Sequence, residues 1–310
     1  MSLLDALRAL TAFAPPDALP PCDPAELADV LDAHGLAPLA SYHLETHRIG
    51  ASAHPALRER LLPIYQGVVN DNVFRLVTLK GALREVDVPV VLLGGAAYVD
   101  WLYPHLAFRP LGELKLAVRG PDGARFAAQL AKSGFSTVAT GPGGHTATFG
   151  DGRIEVTIQE GLVAGQASDH GLFEESVPFT ALGSAVARPS PAHALLATVA
   201  EIAAQGLFAP LMLYVDVREL LGLADLAQGA RVDRVRSLAA ATGLARALYG
   251  TLALASRFFP GVSERAAALS PELSRAERAA VDAIVERASD PRRLRLPRGA
   301  ETAARAVVAP

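Results

Sequence analysis

The sequence predicts an α+β fold: a small mixed β-sheet core with helices, preceded and followed by helical regions. Three observations predict it. Apolar residues recur at helical spacing up to about residue 66 and again beyond residue 188. Between these regions VLLGGAAYVDWLYPHLAFRPLGELKLAV, residues 91–118, reads as strand, Gly-Gly turn, helix, loop and second strand. From Arg153 to Gln159 the chain alternates, with Ile154, Val156 and Ile158 on one face and Glu155, Thr157 and Gln159 on the other.

The elements follow in order. From Ala25 to His34, Leu27, Val30 and Leu31 share a helical face that stops at Gly35, and Pro55 opens a segment carrying Leu57, Leu61 and Leu62. From Gly67 to Arg84 valines and leucines keep helical spacing, and Val86 to Leu93 is a short β-branched run of the buried-strand type. Ala96 to Tyr103 reads as a helix and Glu113 to Val118 as the next strand. Pro121 and Asp122 open a helix ended by Gly134, and GPGGH (141–145) joins two short strands as a hairpin loop. Ser190-Pro191 opens a helix through Ala203; helices over 211–221, 232–242 and 245–259 follow, and Ser274 with Glu277 fits a capping box. Arg292, Arg293, Arg295 and Arg298 stand among prolines, which predicts a mobile tail or a surface strap. The expected regions are 1–66 helical, 67–187 the α/β core, 188–295 a helical bundle and 296–310 a tail.

Composition excludes several classes. With 51% hydrophobic and 20% charged residues, the 310-residue chain can bury a large core. Its most apolar stretch, 192–217, is interrupted by Glu201, Gln205, Pro210 and Asp216, which argues against a membrane span. The N-terminus lacks the basic region of a signal peptide, so a cytoplasmic location is expected. A single cysteine, Cys22, rules out an internal disulfide and a cysteine-rich zinc site. A net charge of −3 gives no strong nucleic-acid signal. His105 and His170 have no nearby ligand-spaced partners, so no transition-metal site is expected, and no nucleophile elbow, P-loop or HExxH motif occurs.

Nucleotidyl transfer needs paired carboxylates on one strand face to hold Mg²⁺, a third carboxylate on a neighbouring strand, and a Gly-rich turn for the triphosphate. Gly94-Gly95, Glu113 with Lys115, and Glu155 stand in those places. Each also has a plainer reading: a simple turn, a solvated ion pair on an edge strand, a solvent-facing strand residue. Arg109 either contacts phosphate or braces backbone carbonyls. His145 and His193 read as a loop residue and a first-turn helix residue.

The order LLGGAAYVDWLYPHLAFRPLGELKLAV, KSGF, GRIEVTIQ, HALLATVAEIAAQG, LYVDVRELL, with AHGLAPLA before it, resembles an uncharacterised bacterial nucleotidyltransferase family with a polymerase-β-type fold. The resemblance covers most of the chain. It implies catalytic positions at Glu113, Lys115 and Glu155, a nucleotide-binding turn at Gly94 and Gly95 with Arg109, and, in an active member, Mg²⁺ on Glu113 and Glu155 with a nucleoside triphosphate. Tyr103, Arg109, Pro110, Leu116 and Val118 match the family pattern. Gly94 stands where lysine is usual, Glu113 where the first aspartate is usual and Lys115 where the second is usual, while Asp216 matches an acidic residue of the helical part.

The cation at 115 has a definite cost. An ammonium about 4 Å from Mg²⁺ is repelled by roughly 8 kcal/mol at an effective dielectric of ~20. Stripping a lysine of its proton near neutrality costs about 4 to 5 kcal/mol, and the neutral amine is a poor ligand for a cation that prefers oxygen. Lys115 is therefore expected to pair with Glu113 or Glu155 and close the site. Three functions remain: a degenerate transferase acting as scaffold or regulator, an active Mg²⁺-dependent transferase moving a nucleoside monophosphate to a small molecule, RNA or protein, and a helical module for a protein partner.

Overall fold

The computed structural model describes residues 3–310 except 13, 142, 143, 151, 167, 228 and 295–297, with no side chain described at 137–141, 145, 225, 227 and 298–301. Four helices come first: α1 (Leu3–Thr11), α2 (Pro24–Ala33), α3 (Ala37–Thr46) and α4 (Pro55–Leu83). Asp23 caps α2 by accepting from the amides of Ala25 and Glu26, with Pro24 in the first turn, where its missing N–H costs nothing. Gly35, at φ 69°, ends it in the left-handed region that favours glycine.

The two helical segments expected on either side of residue 66 are one. Helix α4 runs for 29 residues through Pro63, Gln66 and Gly67. The proline side chain lies on the exposed side, and the turns around it are anchored by Leu57 and Leu61 before and by Asn72 and Leu79 after. Asn72 is buried and fully used. Its amide donates to Leu106 O at 2.6 Å and Arg109 O at 3.0 Å, and its oxygen accepts from Leu111 N at 2.9 Å, which fixes the loop 106–111 to α4.

The strands are β1 (Val90–Leu93), β2 (Leu114–Val118), β3 (Ser136–Gly141), β4 (Gly144–Phe149), β5 (Ile154–Gln159), β6 (Val177–Pro178) and β7 (Val186–Arg188). They form a mixed sheet in the order β3-β4-β5-β2-β1-β7-β6, with β1–β7 and β2–β5 parallel and the other pairs antiparallel. Ile154, Val156 and Ile158 are buried as the alternation predicts. The 141–145 loop is largely replaced by strand ends; Pro142 and Gly143 lie outside the described residues, and the His145 side chain is not described. Strands β6 and β7 carry no comparable periodicity and were not expected.

Between β1 and β2, the helix expected over Ala96 to Tyr103 is one turn, α5 (Gly95–Tyr98). Tertiary hydrogen bonds override the helical pattern. Tyr98 Oη donates to Ala194 O at 3.0 Å while Tyr103 Oη donates to Asp216 Oδ1 at 2.5 Å, and Asp100 turns the chain at φ 58° to reach both partners. Helix α6 (Gly123–Lys132) follows β2 and buries Phe126 and Leu130.

The rest is helical: α7 (Pro191–Ala203), α8 (Leu211–Gly222), α9 (Gly229–Ala241), α10 (Ala245–Phe258), α11 (Ser263–Leu269), α12 (Arg275–Ala288) and α13 (Arg298–Val308). Both halves of the Ser274–Glu277 capping box form. Ser190 precedes α7 without capping it, because its hydroxyl bonds His193 Nδ1 at 2.8 Å. Of the two expected alternatives, a mobile tail or a surface strap, the first does not hold: helix α13 forms, with Ala304 and Val308 buried against the bundle. Arg292 pairs with Glu26 Oε1 at 2.6 Å and Arg293 with Asp290 at 3.8 Å, while Arg295 and the Arg298 side chain lie outside the described residues. Among the described residues no helix is long and apolar enough to cross a membrane.

One buried group makes the fold acid-sensitive. His43 on α3 is 1% exposed and neither ring nitrogen has a hydrogen-bond partner among the described residues. Burial, aided by His47 and Arg218, pushes its pKa down from 6.5 to about 4. The unfolded chain therefore takes up this proton first: the contribution is complete above pH ~6.5, declines as the pH falls and is gone below pH ~4, a loss of about 3 kcal/mol. Chemical denaturation at stepped pH is expected to show this limb in the native protein and to show it flattened in His43→Leu, which retains its stability at pH 7. An unchanged acid limb in the variant would exclude His43 as its source.

Candidate functional site

The cleft lies between one face of the sheet and α7. Pleating places Lys115 on that face of β2, and register sets it between Leu93 on β1 and Thr157 on β5. Gly94 follows Leu93 at φ 60° and ψ −148°, a conformation open to glycine and costly for other residues, and turns the chain away from the sheet. Glu113 sits just before β2. From the other side α7 contributes Ala197, Ala200 and Glu201. Together these groups line a cavity of about 400 Å³ whose walls are largely aliphatic.

Its polar end is an ion cluster. Lys115 Nζ lies 3.1 Å from Glu201 Oε2 and 3.9 Å from Glu113 Oε2. Thr157 Oγ1 donates to Glu113 Oε1, so that carboxylate is held from two sides. Gln159, also in the wall, donates to Gly161 O at 2.7 Å and Leu162 O at 3.1 Å, fixing the loop after β5.

Of the residues picked out from the sequence, Gly94, Glu113 and Lys115 meet here. Glu155 shares the sheet face but stands nearer the start of β5, exposed and level with Thr148 of β4, outside the cavity; Thr157 takes the place beside Lys115. Lys115 pairs with Glu113 as one expected alternative, and with Glu201, which the sequence reading did not include. Its signal was its isolation, a single carboxylate amid the apolar run of α7.

Gly95 and Arg109 lie beneath the turn. Arg109 donates to Asp216 Oδ2 from Nη2 at 2.9 Å and from Nε at 3.2 Å, and to Pro110 O from Nη1 at 2.9 Å. Its guanidinium rests against Gly95, where a Cβ would lie 2.4 Å from Nη1. Asp216, fully buried on α8, also accepts from Tyr103, whose own ionisation is pushed far upward by burial and by this carboxylate. Burial pushes the Asp216 carboxyl up while Arg109 and Tyr103 pull it back. Burial opposes the charge on Arg109 too, but Asp216 and Glu201 outweigh it and raise the guanidinium above its ordinary value. All the Arg109 donor bonds described here go to Asp216 and Pro110.

A divalent cation can be tested against this donor set. Mg²⁺ requires six oxygens at ~2.1 Å in near-octahedral array. Among the described residues no group of three or more acidic, histidine or cysteine side chains is placed to hold a metal. The two carboxylates that face the cleft are bridged by an ammonium, which would repel a dication by several kcal/mol at a separation of about 4 Å. As placed, these residues do not fit the ion.

The chain matches no curated protein and no solved structure. Over residues 20–260 it matches the sequence pattern of the family described as uncharacterised nucleotidyltransferases, and it belongs to that family.

Proposed function

We propose that this protein is a nucleotidyltransferase-family member whose catalytic centre is degenerate, keeping the cleft while performing weak or no metal-dependent nucleotidyl transfer and serving as a scaffold or regulator. The observation that carries this reading is the Lys115 ammonium 3.1 Å from Glu201. An internal cation there does electrostatically what a bound metal would do, neutralising the acidic groups of the cleft without offering a coordination site.

The neighbouring turn supports it. A Cβ at position 94 would start 3.5 Å from Glu201 Oε2, so the lysine usual there in the family pattern would bring its charge to this same carboxylate. Here position 94 is glycine and position 115 is lysine. The carboxylate of Glu201 keeps a cationic partner, but the partner has moved onto the strand position where the pattern has its second metal-binding acid.

Isothermal titration of the full chain with Mg²⁺ and each nucleoside triphosphate tests the reading. Metal alone and metal with nucleotide are expected to give no saturable heat. Metal-dependent nucleotide binding below about 100 μM, an affinity of roughly 5.5 kcal/mol, would overturn it.

A further inference from the structure

Helix α4 has two unlike sides. One buries Leu57, Leu61, Asn72, Leu79 and Leu83, and the helix packs on α2, α3 and α6. The other faces outward, and it is not the polar surface that a solvated helix presents. Among the described residues four large apolar side chains are exposed, and three of them stand here: Leu62 at 39%, Val73 at 43% and Val77 at 65%. At 3.6 residues per turn Leu62, Gln66, Val69, Val73 and Val77 fall on one stripe, with Val69 partly buried at its edge. A single exposed valine needs no explanation, but a row of apolar side chains along one helix face marks a contact surface.

The two ends of the stripe differ in charge. Glu59 is exposed at its start, and Lys80 and Arg84 are exposed at its finish, Arg84 just past the last turn. When two copies of α4 are set antiparallel about a two-fold axis with Glu59 opposite Arg84, the rest of the register is fixed. Stepping inward by helical spacing in both copies brings Leu62 over Gly81, Gln66 over Val77 and Asn70 over Val73, with the axis between the last pair. Every one of these residues is exposed. Gly81 leaves open space, since a Cβ there would meet nothing within 4 Å, so the leucine of one copy has a notch to enter on the other.

We propose that the outer face of α4 is a self-complementary interface on which a second copy of this chain docks antiparallel, covering Val73 and Val77 near the centre and pairing Glu59 with Arg84 at each end. A patch that matches itself under a half-turn is what a closed two-fold dimer requires. The charge at the ends sets direction and register, while the valines supply the apolar area. No residue of the cleft takes part, so the interface stands apart from the activity of the protein.

Sedimentation velocity of the full chain between about 1 and about 200 μM is expected to show a monomer–dimer equilibrium within that range. Val73→Asp combined with Val77→Asp is expected to weaken the dimer at least about tenfold. Glu59→Arg alone and Arg84→Glu alone are each expected to weaken it about tenfold by setting like charges face to face, and the two together to restore the affinity of the unaltered chain. All the changed side chains are exposed, so the melting of each variant at the dilute end is expected to match the unaltered monomer, which separates lost docking from lost folding. A chain that stays monomeric across the whole range would overturn the proposal and leave the stripe to a different protein. A dimer that tolerates both aspartates would overturn it too, as would a charge-reversed double variant no tighter than its single members. Neither metal nor nucleotide enters the measurement, so its failure is distinct from a failure of the functional reading.

Discussion

Replacing Asp216 by alanine is expected to destabilise the protein by about 3 to 5 kcal/mol, because it strands a buried guanidinium without its counter-charge. Asp216 is fully buried and Arg109 nearly so, and the carboxylate accepts from Arg109 Nη2, Arg109 Nε and Tyr103 Oη. Tyr103 is 1% exposed and the Arg109 side chain 11%, so little solvent is at hand to replace the carboxylate. The loss also reaches the cleft: the Arg109 guanidinium fills the space beneath Gly95, so a guanidinium that moves toward solvent unseats the turn that carries Gly94. Urea unfolding measures the effect, and the double variant Asp216→Leu with Arg109→Met is expected to recover most of it by removing both charges together. A loss below 1 kcal/mol in Asp216→Ala would show that the pair is not what anchors the turn.

Replacing Lys115 by aspartate is expected to create a divalent-metal site at a place where the described residues do not now form one. Glu113, Glu201 and the new carboxylate would then converge on the space now bridged by the ammonium. The change removes a repulsion of several kcal/mol and adds a ligand, and even partial recovery, about 3 kcal/mol, corresponds to a hundredfold gain in affinity. Manganese titration followed by electron paramagnetic resonance reads this directly, with Lys115→Met as the variant that removes the cation without adding an oxygen. An affinity unchanged in Lys115→Asp would mean that something other than the lysine keeps metal out.

The sequence was most legible where structure is local. The Ser274–Glu277 capping box, the stop at Gly35 and the alternation along β5 each depend on contacts within a few residues, and each is present. The fold class and the family followed from the order of such elements. The cleft was half legible. Gly94, Glu113 and Lys115 lie close together in the chain around a strand and its turn, and they meet; Glu201 and Thr157 join them through helix packing and strand register, which periodicity does not encode. Alternation put Glu155 on the correct face but could not say how far along the strand the cleft begins. In the same way, nothing near Arg109 announces Asp216, and nothing in the arginine and proline residues before α13 announces that the helix after them docks.

Helix α4 acts as a splint, about 44 Å long at 1.5 Å per residue. Its packing partners at one end are α2 and α3, and at the other Asn72 grips the segment from Leu106 to Leu111, which carries Arg109. The same rod thus holds both the N-terminal helices and the loop at the base of the glycine turn in one fixed frame.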